Sequence, residues 1–493
     1  MAPAGARLPD MTGLVPGSTA IELPELRLDA TYYDTDDLRL ARSGITLRWR
    51  GGEPGPPWTV KIPCDSGGLT LDRHEIRLEG RVDEVPSSAT DLVLASSRTK
   101  GIRPVAHLTT IRRPIEIRDG DGRLLADVVD DTVSVTNEQC PAWRFREVEI
   151  ELHDPGERGR QILDSVGSRL VDAGCVAGSS LPKLVRALGE PASRAPDVVV
   201  ATLTADATMV DVLQHAIAHS VDQILRHDPG VRLGGDPENV HQLRVGTRRL
   251  RSDLRSFAPL IESDRVVSLR VELGWLGTVV GAVRDHDVLA ARLVAHIATL
   301  PEADTQCGAQ LQRRLEDEAD EARSAMLEAL RGDRYLELLE ALVDFASAPP
   351  LRERPSLTGW SNAQLASTIA RKPWRRLASA VAALGPNPSD AELHQVRILA
   401  KRCRYAAEAV APIAGPVASR FAGAVEDVQT VLGDYHDTVV AESWLRLAAA
   451  AVPPCGLAAG QLVALERSPR PELRAKWRKC WRAASSRKLR PWI

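Results

Sequence analysis

HQLRVGTRRLRSDLR, His241–Arg255, sets His241, Arg244, Arg248 and Arg251 at i, i+3, i+7 and i+10, the spacing that lines side chains along one face of an α-helix. Arg255 continues the row, Arg249 flanks it, and Asp253 is the acid that interrupts it. The pattern is written again at His394–Arg404, HQVRILAKRCR, where His394, Arg397, Lys401 and Arg404 stand at the same offsets. A second pair of segments, VRDHDV (283–288) and GDYHDT (433–438), aligns His286 with His436 and Asp287 with Asp437. A period this long means a duplicated helical domain and not a solenoid. Two bundle halves packed about a pseudo-twofold axis are expected.

With 493 residues the chain is too long for one ordinary core, so several domains are expected. Its net charge of -3 excludes wholesale attraction to nucleic acid or membrane, so any anion site must be local. The cysteines (Cys64, Cys140, Cys175, Cys307, Cys403, Cys455 and Cys480) form no CxxC pair, which favours a reducing compartment over a zinc site or a disulfide framework. MAPAGARLPD lacks the features of a signal peptide. Leu447–Leu465 is uncharged but broken by Pro453, Pro454, Gly456 and Gly460, and reads as two short packed helices rather than a membrane span. A cytoplasmic protein with no membrane span is expected.

Residues 1–19 read as irregular. From Leu28 to about Leu152, runs such as LDATYY, ITLRWR, PWTVKIP, DRHEIRL, PIEIRD, LLADVV and FREVEIEL alternate between turn residues and read as antiparallel strands. Charge alternates within them: Arg48 with Arg50, Arg73 with Glu75 and Arg77, Glu147 with Glu149 and Glu151. Either these faces are solvated, or they line a barrel with a charged, water-filled interior. Helix signals follow at Gly156–Ala173 and Leu181–Leu188, then a Pro/Ser/Thr/Ala-rich linker over 189–204. The rest is helical, in halves 205–345 and 363–490 separated by a break at 346–362.

A basic helix face has a bland reading, in which its arginines meet acids elsewhere in the bundle; Asp287, Asp437 and the acidic stretch 316–323 are candidates. Duplication argues against it, because solvated charge has no reason to keep a four-residue offset pattern whereas ligand contact does. Arginine gives paired charge-assisted hydrogen bonds to neighbouring phosphate oxygens, and histidine can donate beside it. Two such faces suit a flexible polyanion without bases, since aromatic residues are only 4% of the chain and offer no stacking platform. Around Trp477 and Trp481 the basic C-terminal segment reads as a helix anchored to the core.

HQLRVGTRRLRSDLRSF, LGTVVGAVRDHDV, HQVRILAKRCRYAAEAV and VLGDYHD resemble the CHAD domain, an internally duplicated helical domain that binds inorganic polyphosphate, in some cases at polyphosphate granules. The resemblance covers about 205–490. It implies polyphosphate binding by His241, Arg244, Arg248, Arg251, His394, Arg397, Lys401 and Arg404, with Arg249 and Arg402 as additions. His286 and His436 match later family histidines, each beside an aspartate that leaves a structural role open.

The region from about 20 to 188 resembles the CYTH domain of the triphosphate tunnel metalloenzymes in LDATYYDTDDLRLARSGITLRWR, WTVKIP, RHEIR, REVEIEL and LPKLVRAL. That resemblance implies an antiparallel tunnel whose triphosphate is held by Arg48, Arg50, Lys61, Arg73 and one of Arg112 or Arg113, of which Arg113 is the choice. Glu75, Glu147 and Glu149 are the implied catalytic carboxylates, with Glu147 and Glu149 as ligands for Mg²⁺ or Mn²⁺. The family's first-strand ExExK motif is absent; the glutamates ahead of YYDT are Glu22 and Glu25, in IELPEL. Either the domain is a non-catalytic remnant or the recorded start lies downstream of the true one. The expected architecture is α+β: a CYTH-like tunnel at 20–188, lacking its first strand, then the CHAD bundle. Polyphosphate binding leads, with triphosphate or nucleotide as further ligands and no sequence-specific nucleic acid. A metal-dependent triphosphatase and a helical interaction scaffold are the rivals.

Overall fold

The computed structural model describes residues 7–63, 73–136, 143–153, 156–176, 181–204, 206–261, 263–351 and 361–493. They divide into two units, Met1–Asp197 and Val198–Ile493.

The first unit is one antiparallel sheet of eight strands: β1 (Thr19–Glu22), β2 (Leu26–Asp34), β3 (Thr46–Gly51), β4 (Trp58–Pro63), β5 (Arg73–Leu78), β6 (Arg103–Arg118), β7 (Leu124–Thr136) and β8 (Trp143–Leu152). Their order is β5–β4–β3–β2–β6–β7–β8, with β1 beside β6 where β2 leaves off. The expected tunnel is a curled half-barrel; among the described residues its edge strands β5 and β8 do not pair. The long β6–β7 hairpin turns at Asp119–Arg123, where Gly122 takes a positive φ of 80° and the Asp119 carboxylate accepts from the amides of Asp121 and Arg123. Short helices α1 (Arg39–Arg42), α2 (Ser87–Leu92) and α3 (Leu94–Ser97) cover the β3–β5 end. The buried Asp34 carboxylate accepts from the amides of Thr35, Leu40 and Ala41, so the aspartate of YYDT pins α1 to the end of β2.

Residues 8–18, expected to be irregular, form turns but belong to the core. Met11, Leu14 and Val15 pack on Ile115, Ile117 and Leu125 and on Ile162, Val166 and Leu170 of α4 (Glu157–Asp172). The segment expected to begin a linker at 189 is likewise ordered. After α5 (Lys183–Leu188) comes α6 (Glu190–Ser193), and Asp197 is held by Arg42 at 2.6 Å and by Arg98.

The second unit is helical. Its first half holds α7 (Met209–Leu233), α8 (Pro237–Ser256), α9 (Ser263–Ile297), α10 (Thr305–Arg331) and α11 (Asp333–Ser347). Its second half holds α12 (Asn362–Ala382), α13 (Asp390–Ala414), α14 (Pro416–Ala451), α15 (Gly456–Arg467) and α16 (Arg470–Ala484). Most of the break expected at 346–362 lies outside the described residues. α7 starts at a capping box of Thr208 with Asp211, and α12 at one of Ser361 with Gln364, 153 residues on. Asp236 caps α8 and Ser389 caps α13 at the same spacing. Matching starts give matching packing: α8 lies between α7 and α9, α13 between α12 and α14, and α8 meets α13 across the halves.

Asp264–Ile297 is long and apolar enough, by length and composition alone, to cross a membrane. Leu269, Leu273, Leu276, Val280 and Leu293 are buried in the bundle, whereas Val267, Val271 and Val294 are exposed. Leu447–Leu465, read as two short helices, is the end of α14, a turn at Pro453–Cys455, and α15. Trp477 is buried in the second-half core and Trp481 stacks on Trp374 at 5.4 Å, the anchoring role expected of this pair.

Candidate functional site

On α8, Val240, Leu243, Leu250 and Leu254 are buried, and on α13 so are Leu393, Val396, Leu399 and Cys403. Burying those stripes turns His241, Arg244 and Arg248, and likewise His394, Arg397 and Lys401, into one shared pocket of about 430 Å³. From α9 it is lined by Arg284, Asp285 and Arg292, and from α14 by Gln429, His436 and Asp437.

Glycine brings the long helices close. A Cβ on Gly281 would stand 3.6 Å from Arg244 Nε, and one on Gly433 would stand 3.5 Å from Arg397 Nε, so each guanidinium lies against bare backbone. Arg244 Nη2 contacts Asp285 at 2.9 Å, and Asp437 is the leading charged neighbour of Arg397. These pairs correct the alignment expected of the second repeat. Asp285, not Asp287, is the counterpart of Asp437, and Arg284 stands where the other half has His436. His286 does not line the pocket; Asp287, its neighbour, is held up by burial beside Arg284 and Arg323.

The pocket is a crowded cation site with few acids. Burial and the nearby Arg248, Arg397, Arg244 and Arg404 push Lys401 down to about 7. Burial, then His394 and Arg397, push His436 down to about 4; its ring lies 4.1 Å from that of His394. Burial and neighbouring arginines also lower His241 and His394. Buried Nε atoms of Arg244, Arg248 and Arg397, and Nδ1 of His394, have no hydrogen-bond partner among the described residues. The guanidinium Nε–H groups can only donate and so suit acceptor oxygens, whereas His394 Nδ1 takes either role according to its tautomer.

Of the remaining expected residues, Arg249 reaches Glu408 at 3.5 Å, and Arg404 pairs with Glu426 and approaches Glu408 at 3.6 Å. Their charge is answered within the bundle. Arg251 and Arg402 lie together in a separate cluster with Arg255, Arg270 and Arg376. Arg284, Arg292 and Gln429 were not anticipated. Arg292 is held by the buried Glu466 of α15 at 2.5 Å, a contact with no local sequence signal.

In the first unit, Arg48, Arg50, Arg112, Asp131, Glu147 and Glu149 share the inner face of the sheet by strand register. Arg112 makes paired bonds of 2.9 and 2.8 Å to Asp131, whereas Arg113 points away to Glu25 at 3.0 Å, so Arg112 takes the place expected of Arg113. Arg48 bonds the Tyr32 hydroxyl, Arg50 pairs with Glu53, and among the described residues Arg73 has no partner for its buried Nε. Glu75 is on edge strand β5, where Lys61 and Arg77 hold it down to about 2. Glu147 and Glu149 are on β8, at the other end of the strand order, and by register Glu75 shares the inner face with them.

What gathers Glu147 and Glu149 is Lys183, missed in the sequence although LPKLVRAL contains it. Its Nζ stands 2.9 Å from Asp131, 3.1 Å from Glu147 and 2.9 Å from Glu149, and these carboxylates raise it well above the usual lysine value against the opposing effect of burial. Arg186 also pairs with Glu147. Among the described residues no group of three or more His, Cys, Asp or Glu side chains is arranged to hold a metal ion. Here the carboxylates already surround an ammonium, which is the wrong arrangement for Mg²⁺ or Mn²⁺.

A CYTH domain profile matches residues 12–166 and a CHAD domain profile matches residues 215–446. Uncharacterized proteins from two strains of Mycobacterium tuberculosis are each 31% identical over 473 residues, spanning 91% of this chain and 87% of theirs. The chain belongs to the CYTH–CHAD family of two-domain proteins. Among solved structures, PptA from Streptomyces chartreusis is 25% identical (TM-score 0.48, 56% of this chain and all of that one). The CHAD domain from the plant Ricinus communis is 28% identical (TM-score 0.48, 58% of this chain and 94% of that one).

Lys401 gives the site a pH dependence if an anion binds there. An anion favours the ammonium, so the group titrates higher when bound than its free value of about 7. Affinity is then full below pH 7 and falls as pH rises above it, by up to about tenfold per pH unit for one proton. Titrating tripolyphosphate at pH 6 and pH 8.5 reads the slope, and Lys401→Arg should flatten it. An unchanged slope in that variant would assign the dependence to another group.

Proposed function

We propose that the second unit binds inorganic polyphosphate in the pocket between α8 and α13. The observation that carries this reading is the set of buried, partnerless Nε donors on Arg244, Arg248 and Arg397, presented by two helices that repeat one basic pattern. Phosphate oxygens satisfy such donors in pairs, and each charge-assisted contact contributes roughly 1.5–3 kcal/mol before non-additivity. Membership of the CHAD family supports the ligand class. The first unit contributes a triphosphate-type anion site on its inner face, built on Arg48, Arg50 and Arg112. The protein works in the cytoplasm and gathers where polyphosphate accumulates.

Calorimetric titration with polyphosphate of defined length tests this. Binding should weaken steeply with salt, as contact between a polyanion and cations requires. Absence of binding at low salt, or affinity indifferent to salt, rejects the reading.

The second reading is a Mg²⁺- or Mn²⁺-dependent triphosphatase, favoured by membership of the CYTH family, typically metal-dependent. Phosphate release from tripolyphosphate, assayed on the same sample with each metal, decides it: no turnover with either sinks the enzyme. A scaffold reading needs basic faces buried against acids; Arg244, Arg249 and Arg404 each meet a carboxylate, whereas Arg248 and Lys401 have none within ion-pair distance among the described residues.

A further inference from the structure

Beyond the central pocket the two copies of the basic helix diverge. Arg251 follows His241 as Arg404 follows His394, yet their surroundings differ. Arg404 meets two carboxylates, Glu426 on α14 and Glu408 one turn on. The positions equivalent to those carboxylates in the other half are Gly274 and Arg255. Gly274 precedes Gly281 by the interval that separates Glu426 from Gly433, and Arg255 follows His241 as Glu408 follows His394. One corner therefore holds two acids, and its mate has a glycine and an arginine instead.

The consequence is visible in the packing. Arg251 lies over Gly274, its Nη2 3.1 Å from where a Cβ would stand, space that a side chain at this position would contest. Around it come Arg255 from the same helix, Arg270 from α9, Arg376 from α12 and Arg402 from α13. Arg375, Arg376, Ser379, Gln395, Leu399 and Arg402 line a hollow of about 470 Å³. Across the duplication Arg376 corresponds to Gln223, which is occupied by a 2.6 Å hydrogen bond to Gln242. Among the described residues none of Arg251, Arg255, Arg270, Arg376 and Arg402 has a carboxylate within ion-pair distance, and Arg270 Nε is buried without a partner. Burial and the surrounding arginines push Arg255 down to about 10, a crowding that an anion would relieve.

We propose that this corner is a second anion subsite, taking a run of phosphates that leaves the central pocket by this side only, while the mate corner is closed by Glu408 and Glu426. The identity of the ligand rests on the polyphosphate reading above; the one-sidedness rests on the divergence of the two corners. Along α8 the row from His241 to Arg255 spans roughly 21 Å. A short chain such as tripolyphosphate fills the central pocket alone, and only a longer chain reaches both.

The test restores in the full chain the acids of the mate corner. Gly274→Glu with Arg255→Glu should weaken binding of long-chain polyphosphate by about 30-fold, the loss of one to two charge-assisted hydrogen bonds. Tripolyphosphate affinity should change less than about threefold when salt screens charges beyond roughly 8 Å. Arg376→Ala with Arg402→Ala, which inserts no bulk, should give the same length-selective loss. The reverse change, Glu408→Arg with Glu426→Gly, opens the closed corner and should strengthen binding of the long chain alone. Equal losses for long and short chains, or none for the long chain in either corner variant, overturn the subsite while leaving the central pocket intact. A parent chain that binds no polyphosphate overturns both readings at once.

Discussion

Alanine at Arg248, Arg397 and Lys401 together lowers affinity for long-chain polyphosphate by roughly 10³-fold, the effect of removing three charge-assisted hydrogen bonds at the lower end of their usual strength. All three line the central pocket, and two carry buried nitrogens with no partner among the described residues. Their removal should not unfold the bundle. The ligand-free pocket sets like charges against one another, and relieving that repulsion holds or raises Tm. The variant therefore separates binding from folding: affinity collapses while the melting transition stays. Its salt dependence should also flatten, by about 0.7 in the log–log slope for each phosphate no longer neutralised, on the scale known for single-stranded polyanions. A triple variant that binds within about threefold of the parent chain would remove the pocket from the function.

Asp228→Ala is expected to cost about 3–5 kcal/mol of stability, the penalty for breaking a buried ion pair from one side. Asp228 and Arg232 of α7 pair at 2.6 Å with side chains 0% and 1% exposed. The Tyr335 hydroxyl donates to Asp228 at 2.8 Å, and Arg232 also donates to the Leu330 carbonyl at 2.9 Å. Without the carboxylate, that carbonyl is all the arginine keeps of these partners. Chemical denaturation reads the loss, and Arg232→Met added to Asp228→Ala should recover most of it, because a buried guanidinium that has lost its carboxylate is what hurts. None of these residues lines the central pocket, so polyphosphate affinity per folded molecule should be unchanged. If the single variant loses less than about 1 kcal/mol, the network is not the pin it looks to be.

The central site was legible because helical spacing maps directly onto a face. His241, Arg244 and Arg248 share a stripe, and their counterparts repeat it, whatever the tertiary packing. The fate of a stripe's far end was not legible, since it depends on what the neighbouring helix presents. Arg251 met a glycine and Arg404 met Glu426, a difference lodged some twenty residues further along the chain. Gly281 and Gly433 could have set the second repeat in register, being the flat places on which Arg244 and Arg397 rest, but paired histidines drew the alignment two residues astray. In the sheet, alternation placed charges on common faces but left Arg112 and Arg113 equivalent until pairing with Asp131 and Glu25 separated them. Lys183 escaped notice because an ammonium is recognised as a partner only once the carboxylates it serves, from β7 and β8, are brought beside it.

Lys183 has a consequence for how the first unit is made. Glu147 and Glu149 leave the ribosome well before Lys183, the ammonium that ties them to the Arg112–Asp131 pair. Until α5 emerges, Glu147 and Glu149 on the inner face of β8 lack the cations that answer them, Lys183 and Arg186. The sheet should therefore stay loose during synthesis and tighten only when α5 docks. A fragment stopped at residue 166, where the CYTH match ends, would hold every strand yet lack this closing step. The useful boundary for producing the unit alone lies beyond Asp197, set by electrostatics and not by where the strands end.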